Sequence, residues 1–225
     1  MTNKPITFNK EMVRAILDGR KSVTRRVVKP QPPENDPHNV CFDYIKNGTA
    51  KFGLRNRPPY CIKTPYRPSD ILYVPEAWKC SGTFGELGYE VEFRDGQHIK
   101  FKFEDRDRAK KWAKYRDKPS HQWQSPYFMP REAARLFIRV TDVQIERLQD
   151  ITEEQAKAEG APRGNFFKDG IEVFFELRDD GYYVAGFEHV WGSTIKKDDL
   201  PRYGWSANPW VWVIKFKKLE RADNP

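Results

Sequence analysis

The sequence predicts an α+β fold in which a curled sheet or barrel carries a few short helices. Three observations predict it: several segments alternate apolar and polar residues, two Asp-Gly pairs separate such segments, and few segments show helical spacing. The chain has 225 residues, of which 14% are aromatic, so it can fold around a sizeable core. No sharp break in composition divides it, and we expect a single domain over 1–225.

Three helices are predicted, over about 10–18, 106–118 and 153–159. Asn9 is a suitable N-cap for the first, and Gly19 supplies a left-handed exit. Thr152 and Gln155 form a capping box at the start of the last helix, and Gly160 ends it. The middle helix is strongly basic.

Most other regular segments are predicted to be strands. The candidates are 70–74, 89–93, 99–103, 134–140, 143–148, 171–177, 182–184 and 210–219. Asp95-Gly96 and Asp180-Gly181 are predicted hairpin turns, and the alternation slips at Thr141-Asp142, which indicates a bulge. The proline-rich stretch 29–69 is predicted to be extended surface loop rather than core strands.

The balance of charge favours a polyanionic partner. Lysine and arginine number 40 against 32 aspartate and glutamate residues, a formal net charge of +8, and an excess of this sign attracts RNA or DNA. The excess is uneven, because residues 1–30 carry a local +6 and residues 142–200 a local −7. These regions either attract each other, line opposite walls of a cleft, or form two solvated faces.

The composition points to a reducing, membrane-free environment. No apolar run approaches the ~20 residues that cross a bilayer, and the N-terminal segment lacks the hydrophobic stretch of a secretory signal. Cys41, Cys61 and Cys80 form no CxxC pair, so neither a disulfide framework nor a four-cysteine zinc site is expected. We expect a cytoplasmic protein without a membrane partner.

The segment 19–26 concentrates side chains that can carry chemistry. A threonine hydroxyl is a weak nucleophile until a base removes its proton. Lys21 can be that base for Thr24 if burial or cationic neighbours lower its pKa, and Arg20, Arg25 and Arg26 are such neighbours. From the residues alone, the alternative interpretation is a basic loop that binds phosphate or faces solvent.

The spacing Gly19-x-Lys21-x-x-Thr24-x-Arg26 resembles the signature GxKxxExR of the ASCH domain, a family of small PUA-like β-barrels associated with RNA. Thr24 stands where many members have glutamate, and in this the chain is similar to the small bacterial N4-acetylcytidine amidohydrolases of the same superfamily. The resemblance covers less than half of the chain and leaves inserts at about 29–60, 79–130 and 161–205. The full-length pattern is similar to phage- and prophage-encoded ASCH-type proteins of unassigned activity, through KPITF, TRRVVKPQP, MPREAARL and NPWVW.

The resemblance implies a PUA-like barrel with a hydrolase site. Lys21 would be the base, Thr24 the nucleophile or a hydroxyl that positions water, and Glu159 the acid. Glu159 lies in the last turn of its predicted helix, where the negative end of the dipole disfavours a charged carboxylate; a solvated helix-end glutamate is the alternative. The implied reaction is hydrolysis of an acylamide on a modified nucleoside or nucleobase similar to N4-acetylcytidine, and it requires no metal or other cofactor.

Three further residues are candidates for contacts with the substrate. Arg26, or backbone N–H groups near Gly19, can stabilise the tetrahedral oxyanion. Glu76 and Trp78 follow the strand predicted over 70–74, where residues of small barrels often line sites. Trp78 can stack on a base, and core packing is its alternative.

Two other classes of function stay open. One is a non-catalytic module that binds RNA or a modified nucleotide, in which the nucleic-acid contacts are made by Arg20, Arg25, Lys110, Lys111 and Lys114. A solvated surface helix is the alternative for the last three. The other class is a ribonuclease, an activity seen elsewhere among ASCH proteins, and it is the weaker of the two.

Overall fold

The computed structural model describes residues 4–33, 40–54, 58–116, 122–163, 166–168, 171–173 and 182–219. It has a mixed α+β fold made mostly of sheet, as predicted. The strands are β1 (Lys4–Pro5), β2 (Val23–Val27), β3 (Val40–Lys46), β4 (Thr49–Leu54), β5 (Tyr60–Lys63), β6 (Ile71–Tyr73), β7 (Trp78–Phe84), β8 (Gly88–Phe93), β9 (His98–Lys102), β10 (Phe137–Arg147), β11 (Phe166–Lys168), β12 (Ile171–Val173) and β13 (Trp210–Leu219). The helices are α1 (Lys10–Leu17), α2 (Arg106–Arg116), α3 (Glu153–Ala158), α4 (Tyr183–Thr194) and α5 (Leu200–Tyr203).

The chain divides into two compact units, each assembled from segments that are distant in sequence. The first unit comprises 1–13, 70–139 and 218–225, and the second comprises 14–69 and 140–217. Within the described ranges, no helix is both long enough and apolar enough to cross a bilayer.

The first unit contains two sets of paired strands and helix α2. Strand β1 pairs in parallel with β6, and β6 pairs antiparallel with the first three residues of β10. Strands β7, β8 and β9 form an antiparallel sheet in that order. The unit's core is strongly aromatic and includes Trp78, Phe93, Phe101, Trp112 and Phe137.

The second unit contains the paired strands β2 and β13. They run antiparallel from Val23 opposite Lys215 to Val27 opposite Val211. Val23, Val211 and Val213 belong to a core that α3 and α4 complete with Ala156, Phe187 and Trp191. Strands β3, β4 and β5 form a second antiparallel sheet, and β11 pairs with β12.

The predicted caps of α1 and α3 are confirmed, and the predicted end of α2 at 118 lies outside the described residues. The Asn9 side chain accepts a hydrogen bond from the Met12 N–H at 2.8 Å, and Gly19 leaves α1 with φ +75°. Thr152 and Gln155 form the predicted capping box at the start of α3. Because these signals depend on neighbours a few residues apart, they can be seen in the sequence.

The strand predictions are confirmed where they rest on alternation. The hairpin of β8 and β9 turns at Gly96, which has φ +82°, and β13 has the predicted bounds. The two strands predicted over 134–140 and 143–148 are one strand, β10, whose buried positions slip between Val140 and Val143.

One loop prediction and one strand prediction are wrong. The stretch 29–69, predicted to be loop, contains the sheet of β3, β4 and β5, in which Ala50 and Phe52 are fully buried. The strand predicted over 182–184 falls at the start of helix α4, whose Phe187 and Trp191, four residues apart, face the core. The Asp180-Gly181 turn lies outside the described residues.

Candidate active site

The backbone brings Lys21 and Glu159 together although 138 residues separate them in sequence. After α1, the N–H groups of Arg20 and Lys21 both donate to the Ala15 carbonyl, at 2.8 and 3.0 Å. Lys21 then forms an isolated antiparallel bridge with Glu159, and the Ser22 N–H donates to the Ala158 carbonyl at 2.8 Å. The start of β2 is thereby fixed against the end of α3.

Lys21 and Glu159 form a buried ion pair. The Lys21 Nζ lies 2.6 Å from Glu159 Oε2 and donates a second hydrogen bond, at 2.8 Å, to the Glu159 backbone carbonyl. Lys21 is 3% exposed and Glu159 6%. The acid is therefore within direct hydrogen-bond reach of the amine, as a shared proton-transfer role requires.

Arg25 holds the carboxylate from its other side. Its Nη1 donates to Glu159 Oε1 at 3.1 Å, its Nε donates to Glu146 Oε1 at 3.0 Å, and its Nη2 also bonds that oxygen. A further donation from Nη2 reaches Gln155 Oε1 at 2.9 Å. Gln155 thus connects the ion cluster to the capping box of α3, because the same oxygen also accepts a hydrogen bond from the Thr152 N–H.

Thr24 and Arg26 occupy the other face of β2. Side chains two apart on a strand share a face, and Arg25 lies on the face of Val23, toward the core that contains Phe187. Thr24 is buried at 2% exposure, whereas Arg26 is half-buried. Arg26 interacts electrostatically with Lys21, Glu159 and Tyr66. Thr24, the predicted nucleophile, and Arg26, which is predicted to stabilise the oxyanion, therefore share one face of β2.

Burial makes the charged form of Lys21 unfavourable. Desolvation lowers its pKa below the ordinary value of 10.5, Glu159 opposes this shift, and the charges of Arg26 and Arg25 add to it. Burial likewise lowers the pKa of Arg26. Three cations, Lys21, Arg25 and Arg26, here face two carboxylates, Glu146 and Glu159. Burial, followed by the excess of positive charge, therefore lowers the pKa of Lys21 against the opposing effect of Glu159.

Gly160 allows the two backbones to approach this closely. It adopts φ +74°, and a β-carbon placed on it would lie 2.9 Å from the Ala15 Cβ and 3.0 Å from the Lys21 Cβ. Both distances are below normal contact, so any side chain here would push β2 away from α3. The backbone beside the bridge also lines an open cavity of about 370 Å³, with Arg20, Lys157 and Tyr183 at its wall.

The other predicted site residues lie in different surroundings. Trp78 is fully buried and stacks on Trp112 with ring centroids 4.8 Å apart, which is the core packing that the sequence left open. Glu76 accepts hydrogen bonds from the Arg135 guanidinium at 2.9 and 2.7 Å. Both belong to the first unit.

The predicted nucleic-acid contacts divide between interior and surface. Arg25 is buried in the ion cluster. Arg20 is exposed and pairs with Asp18 at 3.1 Å, and Lys110, Lys111 and Lys114 are exposed on α2.

Glu146 and Gln155 contribute to the site in ways that the sequence analysis missed. Gln155 was identified only as a helix cap, and Glu146 only as part of a predicted strand. The charge balance is a usable signal, because the basic segment 1–30 and the acidic region 142–200 can neutralise each other. Among the described residues, no group of three or more His, Cys, Asp or Glu side chains is arranged to hold a metal ion.

Comparisons with known proteins returned no relative. No family model, no curated protein and no solved structure matches this chain. The resemblance to the ASCH domain thus rests on the motif residues and stays a prediction.

Proposed function

We propose that this protein hydrolyses an acylamide on a modified nucleoside or nucleobase of the N4-acetylcytidine type. The observation that carries the proposal is the buried contact of 2.6 Å between Lys21 Nζ and Glu159 Oε2. Thr24, three positions after Lys21 in the sequence, is also buried. Structural ion pairs also occur in protein interiors. Two features favour chemistry here: a lysine pKa lowered by burial, and an excess of positive charge around the pair.

The reaction begins with proton removal by the neutral Lys21 amine. Lys21 takes a proton from the Thr24 hydroxyl, or from a water that this hydroxyl positions. The oxygen attacks the acyl carbonyl carbon, and the π electrons move onto the carbonyl oxygen. Arg26, on the same face as Thr24, stabilises the oxyanion that forms.

The second half of the reaction releases the amine. The oxyanion reforms the carbonyl, the carbon–nitrogen bond breaks, and the exocyclic nitrogen takes the proton that Lys21 had accepted, through the Lys21–Glu159 pair. If Thr24 is the nucleophile, a water then attacks the acyl-threonine ester and the same pair relays its proton. Overall one water is consumed, and a carboxylic acid and the free amine result.

The depth of the site sets a condition on this reaction. Lys21, Thr24 and Glu159 are almost completely covered, so the substrate reaches them only when a covering side chain moves. Arg26 is the half-buried member of the group, and in the proposed reaction it opens the Thr24 face of β2.

The test is turnover of N4-acetylcytidine by the purified chain, with cytidine and acetate separated by chromatography. We expect hydrolysis by the unmodified protein and a loss of about a hundredfold or more in Lys21→Met and in Thr24→Val, because each removes one half of the nucleophile-generating pair. Lys46→Met and Thr83→Val, at exposed positions, are the matched controls and keep full activity. No hydrolysis by the unmodified chain, or activity in Lys21→Met and Thr24→Val equal to that of the unmodified chain, would contradict the proposal.

A further inference from the structure

The first unit carries two large aromatic side chains that are exposed to solvent. Tyr127 is 86% exposed and Phe128, beside it, 51%. Both stand on a single 3₁₀ turn, Pro126–Phe128. Large aromatic rings are normally enclosed by a core, so two adjacent exposed rings indicate a contact surface.

The turn that carries these rings is held at both ends. The Ser125 hydroxyl accepts the Tyr127 N–H at 3.3 Å, and the Phe128 N–H donates to the Ser125 carbonyl at 3.1 Å. Met129, the next residue, is anchored in the core, and Gln124 exchanges two backbone hydrogen bonds with Trp78. The backbone that carries the rings is therefore fixed before any partner arrives, which lowers the entropy lost on binding.

The two rings stand almost perpendicular to each other. Their centroids are 5.3 Å apart and their planes make an angle of 83°. The Phe128 ring also lies 6.5 Å from that of Tyr115 on α2. Planar groups stacked on Tyr127 and on Phe128 cannot be parallel to each other, so the geometry suits unstacked bases and not the continuous stack of a duplex.

Helix α2, whose Tyr115 ring lies near Phe128, carries a positively charged face. Ala109, Trp112 and Tyr115 are buried, while Lys110, Lys111 and Lys114 are exposed within about a quarter of the helix circumference. Arg106 and Arg108 pair with Glu86 and Glu132. Among the described residues, no carboxylate pairs with the three lysines. Lys114 Nζ lies 5.0 Å from the Tyr115 ring centre, on the side of α2 that Phe128 approaches.

We propose that Lys110, Lys111, Lys114, Tyr127 and Phe128 bind single-stranded nucleic acid, with phosphates on the lysines and bases stacked on the two rings. Aromatic rings among cations are the combination that binds single strands without reading their sequence. A membrane surface would also attract the lysines, but two apolar side chains on one turn offer little area for insertion. This binding surface goes beyond the proposed hydrolysis and does not depend on it.

The test measures binding of a short fluorescent oligouridylate and a matched oligodeoxythymidylate by anisotropy, at several salt concentrations. We expect binding that weakens steeply with salt, and about a tenfold or greater loss in Tyr127→Ala, with near-full affinity in Tyr127→Phe, which keeps the ring. In the triple variant Lys110→Gln, Lys111→Gln, Lys114→Gln, we expect the salt slope to fall by about 0.7 for each phosphate that a lysine no longer neutralises.

Matched controls separate this surface from general attraction. Tyr44→Ala removes another exposed tyrosine, and the pair Lys46→Gln, Lys63→Gln removes exposed lysines elsewhere; neither should change binding. Three outcomes overturn the proposal: no binding of either oligonucleotide at low salt, unchanged affinity in Tyr127→Ala, or preferential binding to a duplex or to anionic phospholipid vesicles. Hydrolysis of N4-acetylcytidine by Tyr127→Ala is expected to equal that of the unmodified chain, so the two proposals fail separately.

Discussion

Each unit contains a cluster of ionic groups, and the two clusters have opposite charge balance. In the first unit, the Arg135 guanidinium pairs with Glu76 and Asp95 and donates a further hydrogen bond to Gln97. We call this group the Arg135 cluster. In the second unit, the Lys21 cluster places Lys21, Arg25 and Arg26 around Glu146 and Glu159. One cluster has more carboxylates than cations, and the other has more cations than carboxylates.

The difference appears in the direction of the pKa shifts. Burial alone lowers the pKa of Arg135, but Glu76 and Asp95 outweigh it and the net shift is upward. Burial alone raises the pKa of Asp95, but hydrogen bonds from Gln97 and Arg135 bring it below 3.8. For Lys21 the burial effect dominates and the pKa falls. Ion pairing raises the pKa of the cation in the first cluster, whereas burial lowers the pKa of Lys21 in the second, and shifts of the second kind are found at functional sites.

The largest expected effect comes from removing the central carboxylate of each cluster. Glu159→Ala removes the carboxylate that the buried Lys21 amine contacts and leaves Arg25 paired with Glu146, and we expect the free energy of unfolding to fall by about 3–5 kcal/mol. Glu76→Ala leaves Arg135 with Asp95 and Gln97, so a loss of about 1–2 kcal/mol is expected. Urea denaturation measures both. Equal losses of unfolding free energy would contradict the comparison, because they would mean that Lys21 depends on Glu159 no more than Arg135 depends on Glu76.

Lys21→Met separates stability from activity. Methionine keeps an apolar stem of similar length, and Glu159 retains Arg25, so we expect the free energy of unfolding to change by less than about 1.5 kcal/mol. Hydrolysis of N4-acetylcytidine is expected to fall by about a hundredfold or more in the same variant. A large loss of stability with full activity in Lys21→Met would show that Lys21 has a structural role and not a catalytic one.

Glycines next to the two clusters give a matched pair of backbone tests. Gly160 follows Glu159 and Gly96 follows Asp95, and both have positive φ, of +74° and +82°. A β-carbon on Gly96 meets nothing within 4 Å, whereas one on Gly160 meets Ala15 and Lys21. We expect Gly96→Ala to cost about 1 kcal/mol, from backbone conformation alone, and Gly160→Ala to cost about 2–3 kcal/mol. Thermal unfolding of both variants checks the order.

The smallest expected effect is a difference in pH dependence. The folded pKa of Lys21 lies below 10.5, so between that value and 10.5 the unfolded chain binds more protons and stability rises with pH. Asp95 contributes stability above 3.8 that is lost as the pH falls through its lower folded pKa. Lys21→Met should remove the alkaline rise, and Asp95→Asn should reduce the acid loss, in urea titrations across pH. Lys46→Met is the control, and the same alkaline rise in Lys21→Met would contradict the assignment.

Local signals made much of the fold predictable. The caps at Asn9 and Thr152, the left-handed glycines and the alternation in β8, β9 and β13 all depend on residues within one element. The sheet of β3, β4 and β5 lies in a proline-rich segment, and the proline content of the whole segment predicts loop. None of the prolines lies within these strands, and the pair Asn47-Gly48, with φ of 52° and 74°, is a hairpin turn signal that the sequence displays.

The site was predictable only in part. Lys21, Thr24 and Glu159 were selected together through a resemblance, because no local rule connects β2 with the end of α3. The burial of Arg25 follows from its place two residues after the core residue Val23. Its partners Glu146 and Gln155 lie on distant elements, and pairing across more than a hundred residues is decided by tertiary packing.

The most direct test is an NMR titration of the Lys21 side chain, followed through its ¹³Cε signal and assigned by its loss in Lys21→Met. Burial of the amine, with the charges of Arg26 and Arg25 adding to it, predicts a midpoint below 10.5, the ordinary value for lysine. A midpoint at or above 10.5 would contradict it, since Glu159 would then hold the lysine charged and no base would be available.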